Sequence, residues 1–404
     1  MNSGARRIQL VDALRAFALA GILQVNLQSF VWGAGDPLGY FAVPPSAVDA
    51  CVHLLIGAFV STKFMSIFAF LFGVGFALQW RSLRRRTASI GAAYRGYLRR
   101  LAFLLAVGLA HGALLYYGDI LAFYALCGFF LLLYAQARPA RLVRAMGGAW
   151  AFFALWSLAW IALGESARDA TPAEDDVARI PASALAQFAI YTQAGYAAQL
   201  VARIGDYGAA LLSMIGFSAP QVIALFMLGA VAGRLGWLSH PDRHPRVWRA
   251  ALGIGAAAFP FALAGAWLNF VAQRDAPGDP GLIGYALQLA GSLTACLYVA
   301  LFVRHRKRIR PVIAWLAPAG RMPLTNYLLQ SVAMGVLLSG WGFGLGAELT
   351  RAQLALLGIA LVAVQLVASR AWIARFGQGP LEAAWRAWTY RGLSSASTFS
   401  QTPR

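Results

Sequence analysis

Apolar stretches of about 20 residues, the length that crosses a lipid core as one helix, recur along this chain and leave few folds open to it. A hydropathy reading places them at roughly 10–33, 58–80, 99–117, 119–136, 143–163, 211–235, 249–272, 282–303, 320–342 and 352–373. They are long and do not alternate with period two, which selects helices over a barrel. The chain has 404 residues, 60% of them hydrophobic and 12% charged. Mean hydropathy is +0.62, more apolar than a soluble core of this size needs. The expected fold class is all-α: a polytopic integral membrane helix bundle of about ten transmembrane helices.

The net charge of +19 would suggest nucleic acid in a soluble protein. Here the arginines sit in short loops: "RSLRRR" and "YRGYLRR" after span two, "ARPARLVR" after four, "GRLGWLSHPDRHPRVWR" after six and "RHRKRIR" after eight. Arg370 and Arg375 stand at the end of span ten. These are alternate loops, and the intervening ones, "ESARDATPAEDD" and "QRDAPGDPG", are richer in acid. One orientation satisfies all of them: both termini cytoplasmic. The basic charge is thereby explained by the lipid bilayer as partner, without nucleic acid.

The opening "MNSGARRIQLVDALRAFALAGILQVNL" imitates a signal peptide, but Asp12 and Arg15 interrupt it and the apolar run continues past "ALA", so an uncleaved first helix is expected. Segments 47–57 and 184–205 read as amphipathic and suited to the interface. Residues 1–390 form one transmembrane domain in this reading, with 391–404 a polar, disordered tail. Cys51, Cys127 and Cys296 are odd in number and lack a CxxC spacing, so they are read as small hydrophobes, with neither disulfide nor metal site.

Polar groups inside the spans are where function is sought, because their desolvation is costly. Span three starts at Arg99 and Arg100, and His111 lies eleven residues on, about 16 Å along the axis in the outer half of the membrane. Asp119 follows at the outer turn "YYGDI". The structural alternative for Asp119 is a helix cap, and for His111 a buried imidazole bonded to a neighbouring backbone. The functional reading is a general base oriented by a carboxylate. Span one carries Asp12, Arg15 and Asn26 near one face; Asp12 and Arg15 suit an i,i+3 ion pair, and Asn26 lies at a depth comparable with His111. Lys63 enters span two from outside, with snorkelling as its structural alternative. Gly73 and Gly75 suit close helix approach. Span nine, "AGRMPLTNYLLQSVAMGVLL", holds Arg321 at its inner end and Asn326 and Gln330 four apart on one face, where interhelical hydrogen bonding is the structural alternative. Beyond span ten, Trp385, Trp388 and Tyr390 suit an interfacial helix.

These stretches resemble a known family. "RIQLVDALRAFALAGILQVNL", "KFMSIFAFLFGVGFAL", "YLRRLAFLLAVGLAHGALLYYGDILAFYALCGFFLLL", "GRMPLTNYLLQSV" and "FGQGPLEAAWRAWTY" are similar, in order, to the YeiB-like bacterial inner-membrane proteins, defined by a C-terminal domain of unknown function, here about 220–390. One departure is "LRAF" where the family shows "LRGF"; Ala16 is also small. The family's opening pattern is in turn similar to that of membrane acyltransferases that modify sugars across a bilayer, including the heparan glucosaminide acetyltransferase group.

That resemblance implies a transmembrane acyltransferase. An acyl-CoA-type thioester would be the co-substrate, with no bound cofactor, its phosphates meeting Arg95, Arg99 and Arg100. The acceptor, an envelope sugar or other small molecule, would sit outside, near His111 as general base. Asp119 would orient the imidazole, and Asn26 or Asn326 would donate to the oxyanion. With no Ser or Cys nucleophile motif, direct transfer is expected. The alternative is a small-solute transporter in which His111, Asp119, Lys63 and Arg321 form a polar path and proton relay, with Asp12, Arg15 and Gln330 as further structural or path residues; "GFSAP" before span six hints at a broken helix. A third reading is a noncatalytic membrane partner of an envelope machine.

Overall fold

A computed structural model describes residues 8–33, 46–169, 182–275 and 281–392. Among the described residues there are α-helices, short 3₁₀ turns and one π-helical turn, and no strand. Seven helical stretches among the described residues are long and apolar enough to cross a membrane. Three shorter apolar helices, Leu121–Leu132, Leu289–His305 and Pro323–Leu338, fall at the remaining places where a span is expected. The protein is an all-α, multi-pass membrane helix bundle.

Helix α1 (Gln9–Trp32) is the buried axis of the bundle, packed against most of its neighbours through Leu14, Ala18, Leu23 and Leu27. Helix α2 (Ala47–Phe59) packs on the tenth and fourteenth helices and leads through Val60–Thr62 into α3 (Lys63–Arg86). The sequence suggested that 47–57 lies along the interface; here it opens a helical stretch running from Ala47 to Arg86. Thr62, at φ 67, makes the break. Lys63 does not snorkel. It is wholly buried, and its Nζ donates to the Gly57 carbonyl at 2.9 Å, satisfying an acceptor that the end of α2 leaves open.

Helix α4 (Ile90–Leu114) starts with Ser89 accepting the Ala92 N–H. Its far end is closed by Arg203, whose buried guanidinium donates to the Leu114 carbonyl at 2.8 Å. A turn then leads into α5 (Leu121–Leu132), which at 12 residues is about 18 Å long, too short to span a bilayer alone. Its N-terminus is therefore set inside the bundle.

Helix α6 (Pro139–Asp169) flanks the bundle, followed by α7 (Ala182–Gln193) and α8 (Tyr196–Ser213). The buried residues of α8 are Gln199, Arg203 and Tyr207, whereas Val201, Ile204 and Leu212 face outward. It is thus amphipathic with the polar side inward. A π-helical turn, Met214–Ser218, continues α8 into α9 (Ala219–Leu235), so the expected interfacial segment 184–205 does not end in a loop. Helix α9 crosses α3 at Gly73 and Gly229, where a Cβ on either would overlap the other's backbone. Helices α10 (Pro245–Asp275) and α11 (Gly281–His305) pair with each other. The short α12 (Arg310–Gly320) packs on α1, and Pro323 opens α13 (Pro323–Leu338). Helix α14 (Arg351–Phe376) begins with a Thr350/Gln353 capping box, and α15 (Pro380–Tyr390) returns beneath α4 and α13. The expected tail beyond Gly392 lies outside the described residues.

Candidate functional site

The site forms where α4, α5 and α13 meet. His111 occupies the last turn of α4, and the chain doubles back so that Asp119 stands just ahead of α5. Gly108 permits the close approach. A Cβ there would lie 2.9 Å from Asp119 Oδ2 and overlap the Ala122 backbone. Both side chains, His111 and Asp119, are wholly buried.

The Asp119 carboxylate divides its two oxygens. Oδ2 accepts the Ala122 N–H at 2.9 Å, capping α5. Oδ1 accepts from His111 Nδ1 at 2.8 Å. One carboxylate thus both caps α5 and bonds the imidazole. A carboxylate only accepts, so the neutral imidazole carries its proton on Nδ1 and leaves Nε2 as a base. That Nε2 lies 2.8 Å from Ser331 Oγ on α13, which is 1% exposed. One turn earlier on α13, the Tyr327 ring packs on the imidazole with centroids 5.0 Å apart. The other flank is Tyr116, 6.5 Å from His111 between ring centroids, which donates to Asn26 Oδ1 at 3.5 Å and also bonds Ser29. Asn26 is thus linked to this cluster through Tyr116.

Asn326 does not serve the imidazole. Its amide donates to the Ala319 carbonyl and to Ser369, both at 3.0 Å, which ties α13 to α12 and α14. Both of its N–H donors are engaged there, away from His111. Gln330 turns the same way and donates to Gln365 at 2.8 Å.

A cavity of about 340 Å³ approaches this cluster from the arginine-rich end. Exposed Arg86 and Arg386 stand at its mouth, Arg15, Arg100 and Arg321 line its walls, and Leu104, Leu121, Tyr124 and Tyr327 close its depth. Tyr327 thus belongs to both structures, with the cavity on one side and His111 on the other. Arg15 pairs with Asp12 at 3.0 Å, and Arg321 donates to the Gly377 carbonyl.

Of the three arginines read as donor contacts, Arg100 lines the cavity, and Arg95 and Arg99 lie outside it. Residues 95 and 99 share a helix face that is rotated about 100–140° from residue 100. Arg95 is exposed, and Arg99 donates to the Arg391 carbonyl. Helix α15 forms the floor. Trp385 lies with its ring centre 3.4 Å from the Arg100 guanidinium and donates to the Arg100 carbonyl at 2.8 Å. Glu382 accepts from Leu324 N at 2.7 Å, Thr325 N at 3.1 Å and Thr325 Oγ1 at 2.7 Å, an anion at the start of α13.

A family model described as "Protein of unknown function (DUF418)" matches residues 232–392, which contribute Tyr327, Ser331, Glu382 and Trp385. His111 and Asp119 come from outside that match, so the site joins the two parts of the chain. The chain is 31% identical to "Uncharacterized protein YxaH" of Bacillus subtilis (strain 168), over 95% of this chain and 94% of that protein. It is 28% identical to "Uncharacterized protein YeiB" of Escherichia coli (strain K12), over 98% of both chains.

Proposed function

This chain belongs to the YeiB-like family that carries the DUF418 domain, and we propose that it acts there as a transmembrane acyltransferase. The observation that carries the proposal is the shared Tyr327: a basic cavity ends on the same side chain that covers an Asp–His pair. The donor is an acyl thioester such as acyl-CoA, entering from the cytoplasmic side. Its phosphates meet Arg15, Arg100, Arg321 and Arg386, whose guanidiniums offer forked donors. Arg100 and His111 are eleven residues apart on α4, about 16 Å, so a pantetheine-length arm brings the acyl carbon toward the imidazole.

His111 Nε2 removes the proton of the attacking hydroxyl, and Asp119 stabilises the imidazolium that forms. The thiol then leaves and takes that proton. The acceptor, an envelope sugar or other small hydroxyl compound, lies on the outer side of the inner membrane.

The test is calorimetric titration of acetyl-CoA and palmitoyl-CoA into the protein in nanodiscs. Arg100→Ala is expected to weaken binding about 10- to 100-fold, the loss of one charge-assisted contact. His111→Ala is expected to bind normally and release no thiol. A folded wild type that binds neither thioester overturns the proposal. The π-helical turn joining α8 and α9 then favours the transport reading, to be tried by solute flux.

A further inference from the structure

We propose that Ser331 is a nucleophile, and that the acyl group passes through a Ser331 ester on its way to the acceptor. The inference rests on the acyl-transfer reading and deepens it by adding a covalent step. Its first support is geometric. Asp119 Oδ1, His111 and Ser331 Oγ form a chain with both contacts at 2.8 Å, the arrangement of carboxylate, base and hydroxyl that activates a serine.

The second support is what the Ser331 hydroxyl leaves unused. A hydroxyl inside a helix has a nearby acceptor in the carbonyl four residues back. Ser66, Ser157, Thr192, Thr294 and Thr389 all take it in this chain. For Ser331 that acceptor would be the Tyr327 carbonyl, yet its hydroxyl is placed on the imidazole. The third support is position. Ser331 follows the cavity's end residue, Tyr327, by one helical turn, about 6 Å along α13. A thioester that displaces the Tyr327 ring from its place therefore meets Ser331 next.

The chemistry balances without a further reagent. His111 Nε2 takes the Ser331 proton as Oγ attacks the thioester carbonyl. The C–S bond breaks, and the imidazolium returns the proton to the departing thiolate. In the second half His111 deprotonates the acceptor hydroxyl, which attacks the Ser331 ester. Oγ departs and is reprotonated by the same imidazolium.

The experiment uses the full chain in nanodiscs, without acceptor. One sample receives acetyl-CoA or palmitoyl-CoA, a second a fluorophosphonate, which labels activated serines and needs no acyl donor. Each is quenched in acid and mapped by mass spectrometry. The expected result is one acyl or phosphonyl group on the peptide holding Ser331, absent in Ser331→Ala and reduced about 10²- to 10⁴-fold in His111→Ala. Ser331→Cys is expected to keep the acyl adduct but make it labile to neutral hydroxylamine, which a merely structural serine would not do.

Wild type that binds acyl-CoA and releases thiol once acceptor is supplied, with no adduct in either arm, overturns the serine step and leaves direct transfer. Fluorophosphonate labelling of Ser331 without thioester binding overturns the acyl-CoA reading and keeps the nucleophile. A folded wild type that gives no adduct in either arm and also binds no acyl-CoA overturns both.

Discussion

At the scale of single residues, the argument turns on which atom of one carboxylate faces which donor. Asp119 uses Oδ1 for His111 and Oδ2 for Ala122, so neither oxygen can become an amide nitrogen without a loss. In Asp119→Asn, an NH₂ group toward Ala122 meets another donor. Turned toward His111, it forces the imidazole proton onto Nε2, where a base is needed. We expect thiol release to fall about 10⁴-fold, the cost of the wrong imidazole tautomer in a serine triad, while donor binding holds. The other orientation keeps the tautomer and loses the cap instead, at a cost of about 1 kcal/mol read by thermal unfolding. Gly108→Ala reaches the same pair from the other side. Its methyl group must push back the Ala122 backbone and Asp119, so a destabilisation of about 1–3 kcal/mol is expected together with lost turnover. A variant with unchanged stability and activity would show that the α4–α5 approach is looser than described.

At the scale of elements, α13 shows what the sequence could and could not say. Its helix was legible, and so was its polar content. Two pairs four residues apart run along it: Asn326 with Gln330, and Tyr327 with Ser331. The pairs differ by a rotation of about 100°. The polar amides drew attention, yet α13 turns them toward α12 and α14 and presents the other pair to His111. Which face meets α4 is a tertiary fact that no spacing within one helix encodes. Arg100 against Arg95 and Arg99 is the same problem on α4.

The Asp119–His111 partnership was readable because only a short turn separates the two, and a short turn between helices leaves them antiparallel neighbours. The depth of Asp119 was less so, since it depends on α5 being only 12 residues long. Helix α15 was legible as amphipathic, but its role as the floor of a cavity was not, because Trp385 and Glu382 act on residues far away in sequence. Glu382→Gln is expected to keep the contacts' shape and lose their charge. Stability should drop by about 1–2 kcal/mol at the start of α13, and donor affinity should weaken as α15 loosens. Unfolding and titration of the same sample check both.

At the scale of the whole molecule, the bilayer sets the logic. A chain with net charge +19 gathers most of its arginines at one end of the bundle, and the cavity mouth lies among them. The buried Asp–His–Ser chain lies deeper, beyond Tyr327. Separate ends suit a reaction whose donor and acceptor are kept apart by a membrane. Donor binding through fixed cations should weaken as ionic strength rises, since salt screens exposed charge. An apolar ligand in the same cavity would show little such dependence. The titration at low and high salt separates the two.

The most direct measurement is a cryo-EM map of the protein in nanodiscs with a non-hydrolysable thioether analogue of acyl-CoA. The account predicts phosphate density among Arg15, Arg100, Arg321 and Arg386, the Tyr327 ring displaced, and the carbon that stands for the acyl carbonyl about 3–3.5 Å from Ser331 Oγ. Analogue density that lies outside this cavity, or that ends with Tyr327 still packed on His111, would contradict it.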